Sequence, residues 1–131
     1  MAKELTYKGK TKEDLDKMNV QDFAKLVPSR HKRTMLRGFT DAQKILLKKI
    51  NAVNAGKYKK NIKTHCREMV ILPEMVGLTI YIHNGKVFMP VSIVFEMLGH
   101  RLGEFVDTRT RLKHSAPGIG ATRSSSSQSV K

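Results

Sequence analysis

The chain has 131 residues, room for one modest domain with extensions, and 25 Lys+Arg against 11 Asp+Glu give a formal charge of +14. Self-repulsion at that charge disfavours a compact protein left alone, so a polyanionic partner is the natural reading. A lone cysteine, Cys66, excludes an internal disulfide and a multi-cysteine zinc site, and no apolar run approaches a membrane span.

The charge is uneven along the chain. Residues 1–63 hold 17 Lys/Arg and 6 Asp/Glu, whereas residues 64–131 hold 8 and 5. Met1 to Lys10 show no period and read as a flexible lead. The N-terminus has no continuous apolar core of the secretory kind, so a cytoplasmic location is expected. Thr11 opens a short helical pattern, with Asp14 in the capping position and Leu15 and Met18 on one side. Asn19 can cap a second segment in which Val20, Phe23, Ala24 and Val27 share a face, ended by Pro28. Ser29 to Arg37 is the most basic patch and supplies Arg30, Lys32 and Arg33 as phosphate-binding candidates. Thr40 opens the strongest helix, with Gln43 completing a capping box. Ala42, Ile45, Leu46, Ile50 and Val53 mark its apolar stripe, and Gly56 its stop. Lysines on such a helix ordinarily form a solvated face; the charge of the whole chain favours an anionic partner instead.

A basic connector leads from Lys57 to Lys63. Met69 to Leu72 is apolar enough for a first strand, and Pro73 and Gly77 bracket a turn. The stretch from Leu72 to Thr110 organises the rest. Asn84-Gly85, flanked by alternating apolar residues, predicts a hairpin with a two-residue loop, because both loop positions need positive φ. That loop pairs Ile82 with Val87, Ile80 with Met89 and Leu78 with Val91 on a core face. It pairs Tyr81 with Phe88 and His83 with Lys86 on the other. Pro90, which cannot donate to a ladder, belongs at a sheet edge or bulge. A helical turn follows around Phe95 to Leu98, then a glycine-punctuated run from Gly99 to Phe105. After Asp107 the apolar period is lost, and Arg109, Arg111, Lys113, His114 and Arg123 are spread through Gly, Pro and Ser.

Catalysis finds little support. His65 and Cys66 are adjacent, so their side chains point apart, and nothing in the pattern lowers the thiol pKa. The histidines at 31, 65, 83, 100 and 114 have no helical pairing, so no metal or other cofactor is implied. Gly118 to Arg123 lacks the strand, helix and third glycine of a phosphate loop. Glu96 and Glu104 read as structural residues or partners of basic groups. The chain is read as a non-enzyme, with RNA binding the stronger class.

Asn84-Gly85-Lys86, Ile93, Leu98 to Phe105 and Thr108-Arg109-Thr110, together with Ile71 to Gly77 upstream, resemble the signature of the ribosomal protein S-nineteen family. The likeness covers roughly residues 62–114. The basic N-terminal half and the run His114 to Thr122 are similar to its archaeal and eukaryotic branch, called S-fifteen in eukaryotes. The resemblance implies a structural constituent of the small ribosomal subunit that binds rRNA in the subunit head, near the decoding region and the subunit interface. It further implies ribosomal protein S-thirteen as neighbour, tRNA as a contact of the C-terminal tail, and no membrane. Carried over by position, the RNA-binding candidates are Arg67, Asn84, Lys86, His100, Arg101, Arg109, Arg111, Lys113 and His114, joined by Arg30, Lys32 and Arg33. Two departures stand out. His65-Cys66-Arg67-Glu68 replaces a Trp-Ser-Arg-Arg run usual in bacterial relatives, and Glu68 cannot hold phosphate. Val87 and Phe88 replace more basic residues.

The expected architecture is α+β: a small antiparallel sheet with short helices in residues 64–110, a basic helical extension over 1–63 and a disordered basic tail over 111–131. The alternative reading is a free-standing, non-specific RNA chaperone or regulator.

Overall fold

The computed structural model describes residues 4–112 and 123–126. Four helices come first: α1 (Lys12–Asp16), α2 (Val20–Leu26), α3 (Ser29–Leu36) and α4 (Asp41–Asn54). Three strands follow, β1 (Ile62–Thr64), β2 (Thr79–His83) and β3 (Phe88–Ser92), with 3₁₀ turns at Pro73–Met75, Phe95–Met97 and Leu102–Phe105. A last helical turn, α5, spans Arg123–Ser126. The fold is α+β, as the sequence implies, but the sheet is not the antiparallel one expected: β1 comes from the connector, far in sequence from β2, and lies parallel to it. The sheet is mixed, in the order β1-β2-β3, with β1 parallel to β2 and β2 antiparallel to β3.

The helix starts follow the local rules. In α1, Asp14 N–H donates to the Thr11 hydroxyl at 3.4 Å and Thr11 N–H donates back to the Asp14 carboxylate at 3.2 Å. In α4, Gln43 N–H donates to the Thr40 hydroxyl at 3.4 Å, and Thr40 N–H to Gln43 Oε1 at 3.1 Å. Both pairs satisfy amide groups that a helix terminus leaves open. The apolar stripe of α4 is rotated from its expected position. Gln43, Leu46 and Ile50 are buried, whereas Ile45 is 55% exposed. The basic run from Ser29 to Leu36 is itself a helix, entered from Pro28, and it buries Met35.

The lead around Tyr7 is ordered, contrary to expectation. Tyr7 and Lys10 exchange backbone hydrogen bonds of 2.9 and 3.0 Å across Lys8 and Gly9, whose φ values of 51° and 78° make a tight reversal. The Tyr7 ring packs on Phe23 with centroids 6.1 Å apart, and burial pushes its phenol pKa above the usual value. Its hydroxyl fills the space a Cβ at Gly99 would occupy, and Gly99 has φ +77°. Leu15, Phe23, Leu46 and Ile50 from the helices join Ile62, Ile80, Ile82, Leu98 and Leu102 in one buried cluster.

Met69–Leu72 is not a strand. All four residues are buried, so the segment has no solvent face, and its strand-like pairing is limited to an isolated antiparallel bridge between Val70 and Arg101. Its backbone pairs with the glycine-punctuated run instead: Ile71 N–H donates to His100 O at 2.8 Å, and Leu102 N–H to Met69 O at 3.0 Å. The positive φ of Gly99 and the turn at Leu102–Phe105 break that pairing into an irregular ladder. The first strand lies earlier, at Ile62–Thr64, within the connector.

The hairpin loop has four residues rather than two. The Asn84 side-chain carbonyl accepts from Lys86 N–H and Val87 N–H, each at 2.9 Å, and Asn84 N–H donates to Val87 O at 3.0 Å. An Asn side chain that captures two amides closes a longer turn than Asn-Gly alone requires. Pairing therefore slides by two residues, to Ile82–Met89, Ile80–Val91, Tyr81–Pro90 and His83–Phe88. A slide of two keeps each side chain on its face. Ile80, Ile82 and Val91 remain core, but Val87 and Met89 are 55% and 43% exposed. Pro90 sits on an edge strand, as expected.

Gly99→Ala should cost about 1–3 kcal/mol from the left-handed backbone and the displaced Tyr7 hydroxyl. In urea denaturation the loss should be smaller in a Tyr7→Phe background, where no hydroxyl opposes the new methyl. Fully additive losses would show that Tyr7 and Gly99 do not meet. A second expectation concerns pH. The Thr11 hydroxyl and amide hold the Asp14 carboxyl below its ordinary value. A depressed folded-state pKa adds stability above the unfolded value, and that stability disappears as pH falls through the folded value. The acid limb of a stability–pH profile should therefore be shallower in Asp14→Asn.

Candidate nucleic-acid interface

The sheet divides its side chains by alternation. Ile62, Thr64, Ile80, Ile82 and Val91 face inward and are buried. Lys63, Tyr81, His83, Phe88 and Pro90 share the opposite face, because Lys63 pairs with Tyr81, Tyr81 with Pro90 and His83 with Phe88. Three rings gather there. The His65 and His83 centroids are 4.4 Å apart, and Phe88 meets them edge-on at 5.1 and 4.9 Å. Lys63 Nζ lies 5.5 Å from the Phe88 ring centroid, a cation–π distance. His83 Nδ1 accepts the Gly85 amide at 3.0 Å, which puts the proton of the neutral ring on Nε2. The hairpin register led to part of this face, but His65 and Lys63 were missed. Their signal was the parallel pairing of β1, which lies in a three-residue strand inside a basic connector.

Behind the rings sits Arg67, a half-buried guanidinium directed at backbone. Its Nη1 donates to His83 O at 2.8 Å, and its Nη2 donates to Gly103 O at 3.0 Å and Val106 O at 2.6 Å. Gly103 N–H returns a bond to Arg67 O at 2.8 Å. A Cβ at Gly103 would lie 3.0 Å from the Arg67 backbone oxygen, so a side chain there would push these segments apart by a few tenths of an ångström.

The other residues singled out from sequence fall in several places. Arg30, Lys32 and Arg33 are exposed on α3, and Lys86 is exposed in the hairpin loop. Asn84 builds that loop with its side chain. His100 Nδ1 is 2.7 Å from Glu104 Oε2, and its ring meets Phe105 edge-on at 6.0 Å. Glu104 thus partners a basic group. Arg101 is half-buried, and its Nε is buried without a hydrogen-bond partner. Arg109 and Arg111 are exposed, whereas Lys113 and His114 lie outside the described residues. Cys66 is buried in the core, with its amide donating to the Thr64 hydroxyl at 3.0 Å. Among the described residues no cluster of His, Cys, Asp or Glu could hold a metal ion, and no helix is long and apolar enough to cross a membrane.

The family model described as Ribosomal protein S19 matches residues 33–114. The chain belongs to that family. It is accordingly a small-subunit ribosomal protein that binds rRNA, and its family is structural rather than enzymatic. The match begins within α3, well before the hairpin signature, and takes in α4 and all three strands. In this S-nineteen-family chain the open sheet face, the Arg67 clamp and the turn at Leu102–Phe105 all lie inside the matched region.

Arg67→Lys keeps the charge but cannot reach three carbonyls. The substitution should cost about 2–4 kcal/mol in urea denaturation, since hydrogen bonds from a charged donor are the stronger kind. A cost within error of zero would remove Arg67 from the scaffold.

Proposed function

We propose that the chain binds and orders rRNA in the head of the small subunit, near the decoding region and the subunit interface, within a cytoplasmic ribosome. The observation that carries this reading is the family match, joined to a surface on which Arg30, Lys32, Arg33, Lys86, Arg109 and Arg111 are all exposed. Such side chains supply the phosphate contacts that give affinity and register. His100 and Arg101 lead into the turn at Leu102–Phe105, and the sequence runs on toward Lys113 and His114. Arg67 and Asn84 hold the backbone on which these groups stand. Ribosomal protein S-thirteen is the expected protein neighbour, and the C-terminal tail the part that approaches tRNA.

The test is binding to small-subunit head rRNA and to unrelated RNA of equal length across a salt series. Each phosphate contact should contribute about −0.7 to −0.9 to the log–log slope for both RNAs. An affinity gap that favours head rRNA and survives high salt is the expected result. Coincident curves would mean that charge alone explains binding, as for a free-standing RNA chaperone.

A further inference from the structure

The ring cluster has a neighbour that gives it a direction. A groove of about 230 Å³ runs between α4 and β1, lined by Ile45, Leu46, Lys49, Lys63 and His65 among others. His65 and Lys63 belong to both features: His65 touches the His83 and Phe88 rings, and Lys63 reaches the Phe88 face. The site therefore has flat π surfaces, an apolar wall that includes the exposed Ile45, and two ammonium groups. Among the described residues no carboxylate lines the groove.

We propose that this site holds an unpaired nucleotide of RNA, with its base stacked on the His65 ring and its phosphate drawn to Lys49 and Lys63. The inference rests on the rRNA-binding reading and deepens it, by adding a contact that depends on base stacking rather than on charge alone. Several features point to a nucleotide. An aromatic face accepts any base without sequence readout, because every base has a π surface. The ammonium groups beside it complement a phosphate, and the absence of carboxylates removes repulsion. His65 is exposed, so its outer face is open to a ligand. A duplex would not fit this description, since its bases are already stacked on each other.

The experiment uses the full chain with a single-stranded RNA oligomer carrying 2-aminopurine and an RNA duplex of equal length. His65→Ala and Phe88→Ala should each weaken single-strand binding about 5- to 150-fold without changing the salt slope. His65→Phe, which keeps a ring, should restore it. Duplex binding should be the same in all these variants. Lys63→Gln should lower the slope by about 0.7, one phosphate contact. Thermal denaturation checks that the His65 and Phe88 variants keep the fold. Unchanged single-strand affinity in His65→Ala would overturn the proposal, as would equal losses on duplex and single strand. A preference for head rRNA in the salt series would survive either failure. Ring-dependent binding without that preference would instead keep the nucleotide site and remove the placement in the subunit head.

Discussion

The geometry of this protein depends on one guanidinium bridging three carbonyls. Arg67 joins the end of β2, through His83 O, to the turn and its exit, through Gly103 O and Val106 O. These segments are 16, 36 and 39 residues away in sequence, and none of them pairs with another in the sheet. A planar donor with a fixed fork can serve several acceptors at once, which an ammonium on a flexible stem does poorly. The clamp carries its consequences outward. It fixes the chain just after His65 and just after Ile82, so the two imidazoles that form the ring cluster are held from the same residue.

The clamp also explains why the region around Leu102 can be irregular and still be rigid. Met69–Leu72 and Gly99–Gly103 exchange backbone bonds without forming strands, and the side chains of Met69 to Leu72 and of Leu102 are buried among helices and sheet. Amide groups in such a place need partners, and here backbone and Arg67 provide them. Tyr7 closes the far side of the same segment by resting against Gly99. The N-terminal turn, the helices and the signature run are thus parts of one packing problem. Damage to Gly99 or Gly103 should be felt in both halves of the chain.

Sequence reasoning succeeded where structure is local. Capping boxes at Thr11 and Thr40 involve residues three apart, and both form as expected. The face alternation around Asn84-Gly85 held because even a slide of two preserves it. The misses had different causes, some local and some set by residues far along the chain. The two-residue loop lost to an Asn84 side chain that satisfied two amides. Met69–Leu72 looked like a strand because its apolar run cannot distinguish a sheet neighbour from burial among helices. The helix at Ser29–Leu36 was obscured by its charge, since its buried face amounts to Met35. Arg67, placed by family position among the RNA contacts, has its guanidinium directed at three carbonyls 16 to 39 residues away.

The distribution of positive charge then acquires a physical logic. Arg67 turns its guanidinium inward, where three carbonyl dipoles stabilise the charge and tie distant segments together. Among the described residues Arg30, Lys32, Arg33, Lys86, Arg109 and Arg111 remain on the surface, and they repel one another until an anion arrives. Stability and binding are therefore coupled through charge. Exposed cations on α3, the hairpin loop and the exit from the core destabilise the isolated protein slightly, and a polyanion relieves that repulsion as it binds. A ligand that associates only with the folded state raises apparent stability by mass action. The rings themselves add little to this exchange, because their contribution comes from flat π surface, while Lys63 beside them takes part in it. Charge brings RNA to the protein from a distance, whereas the sheet face, held by Arg67, can recognise only a strand whose bases are free.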